Sequence, residues 1–275
     1  KVAVNEHDSS QIEVGVVDYA VLQPATSDDS GFSPIGGIAF SSDSSISILN
    51  WSSDEVVDVS LEGEVQTTHK LSGSRYTNIL SSESLDGVFV IDNGNECSLL
   101  HLKTGNKTPL PSALCSLPIG LEMYVDDEGW LFIRDLIETT FTSTGINVLG
   151  ITRSQAPANY LDFQLRVDGQ RLMLKLPDRD HEIELSFNEA LISSLSGITP
   201  MGNEAIVAIA EVENSSGVFT QGILFITENA AHFVPVSGNN LYESAMPLSV
   251  WGTHVAVATA TTEGFLLNVI DVADW

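Results

Sequence analysis

The sequence predicts an all-β chain in which a unit of four short antiparallel strands recurs six times around a closed ring. Apolar residues come in bursts of about four to eight and alternate with polar ones, the signature of half-buried strands. A strand–turn–strand segment recurs near every 42 residues, the size of a four-stranded repeat. The last unit lacks its outermost strand, and an unused strand near the amino end is available to supply it.

The hairpins are residues 55–71, 97–110, 137–149, 171–185 and 222–236, with turns at Gly63, Gly105, Gly145, Arg179 and Asn229 and steps of 42, 40, 34 and 50. Each alternates apolar and polar residues on both sides of a Gly, Asp or Asn turn, as an antiparallel hairpin requires. Ahead of each lies an apolar run near Ile38, Ile79, Leu121, Tyr160, Met201 and Ser249, at steps of 41, 42, 39, 41 and 48. Between run and hairpin sits a third strand, such as SISILNW, GVFVID or HVAVATAT. One period past Asn229 falls inside FLLNVIDVADW, so the sixth unit is one strand short. The alternating segment IEVGVVDYAVL, residues 12–22, fills that place and removes an exposed sheet edge. Seven units is the nearest competing count. Residues 186–197, SFNEALISSLSG, read either as a helix capped by Ser186 or Asn188 and stopped at Gly197, or as a strand and loop. The whole of 1–275 reads as one domain, with 1–11 as a polar leading segment.

Lys and Arg number 11 against 37 Asp and Glu, a formal net charge of -26. Affinity for phosphate backbones comes from cations displacing counterions, so no nucleic-acid partner is expected. No apolar run approaches the roughly eighteen residues of a spanning helix, so no membrane insertion is expected. Cys97 and Cys115 are the only cysteines, and pairing them would close a loop worth about 3 kcal/mol. A bridge places the protein in an extracytoplasmic or secreted compartment, whereas two free thiols would fit the cytoplasm. The opening residues KVAVNEHDSSQ carry no cationic start followed by an apolar core, so no signal peptide is read there.

Period and hairpin pattern over residues 12–275 resemble the β-propeller repeat proteins. No repeated Gly-His and Trp-Asp pair marks a WD repeat; Ser41–Ser47 echoes a sialidase Asp box with Ser45 in place of its Gly; and residues 101–110 look like one quinoprotein-type blade without its Trp. The resemblance implies a ligand or partner site at one mouth of a central channel, where loops from different blades meet.

Loops entering the inner strands carry Phe32, Tyr76, Tyr160 and Tyr242, with Arg75 and Arg153 nearby. These six are the candidate binding residues: the rings would stack on a flat group and the guanidiniums would hold a carboxylate. The competing reading is that the rings fill gaps between blades. Acidic clusters at Asp126–Glu128 and Asp178–Glu182 would suit calcium, although each lies where a turn needs Asp anyway. No zinc spacing, nucleophile elbow or phosphate loop is present, and no cofactor is expected, with calcium the weak exception. Two functions follow. The first is a non-enzymatic binding or scaffolding protein that recognises a protein or glycan through loops on one face, as a monomer or a module of a larger assembly. The second is a hydrolase or lyase acting on a carbohydrate or lactone through channel carboxylates.

Overall fold

The computed structural model describes residues 2–6, 13–18, 35–50, 53–71, 76–94, 96–115, 122–126, 128–134, 142–149, 164–168, 171–175, 182–186, 190–201, 205–214, 216–227, 229–236, 248–260 and 264–273. In chain order, β1 (Val2–Glu6) and β2 (Glu13–Asp18) precede a first sheet of β3 (Ile35–Ser42), β4 (Ser45–Asn50), β5 (Glu55–Ser60) and β6 (Val65–Lys70). The second sheet holds β7 (Tyr76–Ser82), β8 (Gly87–Asn93), β9 (Cys97–His101) and β10 (Lys107–Pro109). A short helix, α1 (Ser112–Cys115), leads on to a third sheet of β11 (Glu122–Val125), β12 (Trp130–Arg134) and β13 (Thr142–Asn147). Next come β14 (Gln164–Asp168), β15 (Arg171–Lys175), β16 (Ile183–Ser186), β17 (Ala190–Met201), β18 (Ala205–Asn214), β19 (Phe219–Thr227) and β20 (Ala231–Pro235). The last sheet is β21 (Leu248–Trp251), β22 (His254–Ala260) and β23 (Gly264–Asp271), with β2 added at its outer edge.

The arrangement is a β-propeller of small antiparallel sheets, and the expected six separate blades are corrected to five sheets. Strands β14 to β20 join with β1 in a single eight-stranded sheet because β1 runs parallel to both β16 and β20. It pairs Val2 with Leu185 and Ala3 with Ser186 on one side, then Val4, Asn5 and Glu6 with Ala231, His232 and Phe233 on the other. The unit expected around Tyr160 therefore does not stand alone. Leu172, Leu174 and Leu185 of β15 and β16 pack on Ile206, Ala208, Leu224 and Phe233 of the neighbouring strands. Around the axis, β3 packs on β7, β7 on β11, β11 on β17, β17 on β21, and β21 returns to β3.

Ring closure follows the alternation of residues 12–22: β2 pairs antiparallel with β23 from Glu13–Val269 to Asp18–Gly264. The ambiguous segment 190–201 is a strand, paired with β18. Residues 142–147 are one strand, with Gly145 inside it rather than at a hairpin turn.

The core lies between sheet faces. Every residue of β4 is buried, because a middle strand faces a neighbour on both sides. Ile46 and Ile48 meet Ala256, Ala258, Leu267 and Val269 of the last sheet, while Leu49 joins Tyr76, Val88 and Val90 towards the second. Gly63, at φ 88°, lets the β5–β6 turn adopt the left-handed conformation that a side chain resists. Gly222 is required by space: a Cβ there would lie 2.3 Å from the Val234 carbonyl oxygen. Cys97 and Cys115 are joined in a disulfide that ties α1 back to β9, and Asn93 Nδ2 donates to the Cys115 carbonyl at 2.8 Å.

Candidate functional site: one mouth of the central channel

The inner strands enclose a cavity of about 570 Å³. Its wall mixes apolar and polar surface, the apolar part drawn from Ile38, Ile79, Met123, Tyr124, Met201 and Trp251 among others on β3, β7, β11, β17 and β21. Among the described residues none of β14, β15 or β16 reaches it. Hydroxyls interrupt this wall, and two of them are spent on holding the ring together. Ser249 Oγ accepts the Phe40 N–H at 3.0 Å and lies 3.4 Å from Ser81 Oγ, so one side chain of β21 links β3 and β7.

The turns that follow β7 and β21 meet at this mouth. Glu83 Oε2 accepts the Gly252 N–H at 2.8 Å, a contact between residues 169 apart in the chain. Gly252 has φ 54°, which aims its amide at the carboxylate. Glu83 is the one formally charged side chain among the described lining residues. Asp271 stands beside the mouth, its carboxyl held below the usual range by the Thr253 hydroxyl and the Ala273 N–H, with Thr253 and Ala273 between it and the cavity wall. Its oxygens are occupied by those donors.

Of the six candidate binding residues, Tyr76 alone falls among the described residues. Phe32, Arg75, Arg153, Tyr160 and Tyr242 lie outside them. Tyr76 opens β7 and is 5% exposed, packed between the first two sheets beside Ala39, Leu49, Val56 and Val90. Its hydroxyl has no hydrogen-bond partner among the described residues, and its pKa is pushed up to about 12, first by burial and then by the Asp92 and Asp54 carboxylates. Strand β7 separates Tyr76 from Glu83 by roughly 20 Å of extended chain. Tyr76 is not among the cavity-lining residues, and it and Glu83 stand at opposite ends of β7.

In the acidic cluster at 126–128, Asp126 Oδ1 accepts the Glu128 and Trp130 N–H groups at 3.0 and 2.7 Å, the work of a turn. Among the described residues no three of His, Cys, Asp and Glu gather as metal ligands. Asp127, Asp178 and Asp180 lie outside them. On β4, β5 and β6, Ser47 donates to Asp58 Oδ1, and His69 Nε2 lies 2.9 Å from Asp58 Oδ2. The order is Ser–Asp–His with the acid in the middle, so the imidazole does not reach the hydroxyl and no nucleophile is activated. No described helix is long and apolar enough to cross a membrane.

No family model matches the chain, and no curated protein matches it. Solved structures do. A structural genomics protein of unknown function from Bacteroides thetaiotaomicron is similar at 13% identity over 94% of this chain and 75% of its own, with a TM-score of 0.50. A streptogramin B lyase is similar at 12% identity over 94% and 97% of the two chains, with a TM-score of 0.47. YCF48 bound to D1 peptide is similar at 12% identity over 99% of each chain, with a TM-score of 0.43. At such identities the likeness concerns the fold alone.

Proposed function

We propose that the chain is a non-enzymatic binding or scaffolding propeller that takes a protein partner at a channel mouth. The observation that carries this reading is the chemistry of the cavity wall: apolar and aromatic side chains interspersed with Ser and Thr, and one carboxylate, Glu83, among the described lining residues. Ligand sites of every kind, active sites included, combine apolar surface with a few placed polar groups; what favours binding over reaction here is that Glu83 has no second carboxylate beside it among the described lining residues. Glycoside hydrolysis needs two carboxylates flanking one bond, and the described lining residues offer a single one. The glycan alternative is less well served, since the Ser81 and Ser249 hydroxyls are turned on one another. The candidates Phe32, Arg75, Arg153, Tyr160 and Tyr242, which lie outside the described residues, belong to the same proposal as further partner-binding residues. An extracytoplasmic location belongs to it too, supported by the Cys97–Cys115 bridge, since such bonds persist in oxidising compartments.

A combined peptide and glycan array, read with the wild type and with Thr253→Trp, tests the reading. Thr253 is exposed at the turn that lines the mouth, and an indole there would fill it. Array binding that the substitution abolishes, with the circular dichroism spectrum unchanged, is the expected result. Binding untouched by the substitution would overturn the proposal, and turnover of glycosides or lactones by the wild type would move the assignment to the hydrolase or lyase.

A further inference from the structure

We infer that the Glu83 mouth receives a Lys or Arg side chain of the protein partner. The inference deepens the binding reading and rests on it. Glu83 Oε2 accepts the Gly252 N–H at 2.8 Å, a bond between two exposed groups that gives the carboxylate a preferred orientation at the open end of the cavity. Among the described residues its Oε1 has no hydrogen-bond partner, and no described lining residue is a cation. A carboxylate that accepts from one neutral donor keeps acceptor sites for a second, cationic donor, the stronger kind of hydrogen bond.

The rest of the wall matches the remainder of such a side chain. Lys and Arg bury three or four methylenes along apolar surface while the charged head seeks a polar end. Ile79, Met123 and Met201 supply that surface, with Glu83 at the end of it and the Trp251 ring one residue from the Gly252 donor. Indole faces attract cations as well as alkyl chains. An acidic or phosphorylated ligand would instead meet Glu83 and a chain of net charge -26. That same field raises the local concentration of cationic partners and speeds their arrival. A neutral sugar would find the hydroxyls linking β7 and β21 already engaged.

The probes are dye-labelled, end-capped pentapeptides of alanine with Lys, Arg, norleucine or Glu at the centre. Fluorescence anisotropy would follow their binding to wild type, Glu83→Gln and Thr253→Trp. Glutamine keeps an acceptor for the Gly252 N–H and nearly the same volume, so it removes charge without opening the turn. The Lys and Arg peptides are expected to bind about tenfold more tightly than norleucine, the Glu peptide not at all. Glu83→Gln should erase the tenfold preference, and added salt should weaken it. Lys and norleucine binding equally, or a preference for Lys that survives Glu83→Gln, would overturn the cation inference while leaving the channel reading intact if Thr253→Trp still blocks binding. No binding by any peptide, or binding that ignores Thr253→Trp, would remove both.

Discussion

Replacing Cys97 and Cys115 together by Ser should lower the stability of the chain by about 3 kcal/mol. The bridge spans a sequence separation of 18, and closing a loop of that length removes on the order of 11 cal/mol/K from the unfolded ensemble, about 3 kcal/mol at room temperature. A chain of 275 residues unfolds with an entropy near 0.6 kcal/mol/K, so the expected fall in Tm is about 5 °C. The loss should be no smaller than the chain-entropy value, because Cys115 is 6% exposed and packs with Leu99, Leu110 and Val125 between the second and third sheets. A thermal melt followed by circular dichroism, with and without reductant, measures it. The reduced wild type should melt with the double variant. Thiol labelling of the denatured, unreduced wild type should find no reactive cysteine. An unchanged Tm in the variant, or two labelled thiols, would refute the reasoning.

Gly222→Ala would place a Cβ 2.3 Å from the Val234 carbonyl and 2.6 Å from the Phe233 ring; with backbone on one side, the strands must part, and a loss of about 3 kcal/mol is expected in a denaturant titration. Tyr76→Phe removes a buried hydroxyl that lacks a partner among the described residues, so stability at neutral pH should stay level or rise by up to about 1 kcal/mol. The same variant has a pH signature. Because the folded pKa of about 12 lies above the ordinary value of 10.0, the wild type binds more protons folded than unfolded between these values, and its stability falls as pH rises through that window. Melts of Tyr76→Phe should show a shallower alkaline decline; identical slopes would count against the buried phenol. On the acid side, burial lowers the His101 pKa, so its contribution is complete above about pH 6.5 and is lost as pH falls below it. His101→Phe should flatten that decline in melts from pH 7 to 5, and an unchanged slope would reject it.

Much of this fold is written in short-range alternation. The hairpins at 55–71 and 222–236 appear as β5–β6 and β19–β20 because period-two patterning and a turn residue are local signals. Closure by residues 13–18 was legible as a strand without a hairpin of its own. Strand β1 was not: VAVNE is five residues in a polar stretch, and its partners lie about 180 to 230 residues away, beyond any local pattern. The sheet count changed for the same reason, since one parallel strand fuses two repeats. Segment 190–201 has apolar residues that suit either period, and pairing with β18 decides in favour of the strand. Of the expected binding residues only Tyr76 is described, and it is packed between sheets rather than at the mouth. Glu83 sits in the turn leaving β7, within a Ser-Glu-Ser-Leu-Asp run that reads as a solvated turn. The signal available was positional: the runs of β7 and β21 each end in a short turn, and those two turns meet.

Hydrogen exchange of the paired strands β2 and β23, followed by mass spectrometry, tests ring closure most directly. Amides of Glu13–Asp18 should exchange as slowly as those of Gly264–Asp271 and lose protection together as denaturant is added. Exchange of Glu13–Asp18 within seconds while Gly264–Asp271 stays protected would contradict a ring closed by its amino-terminal strand.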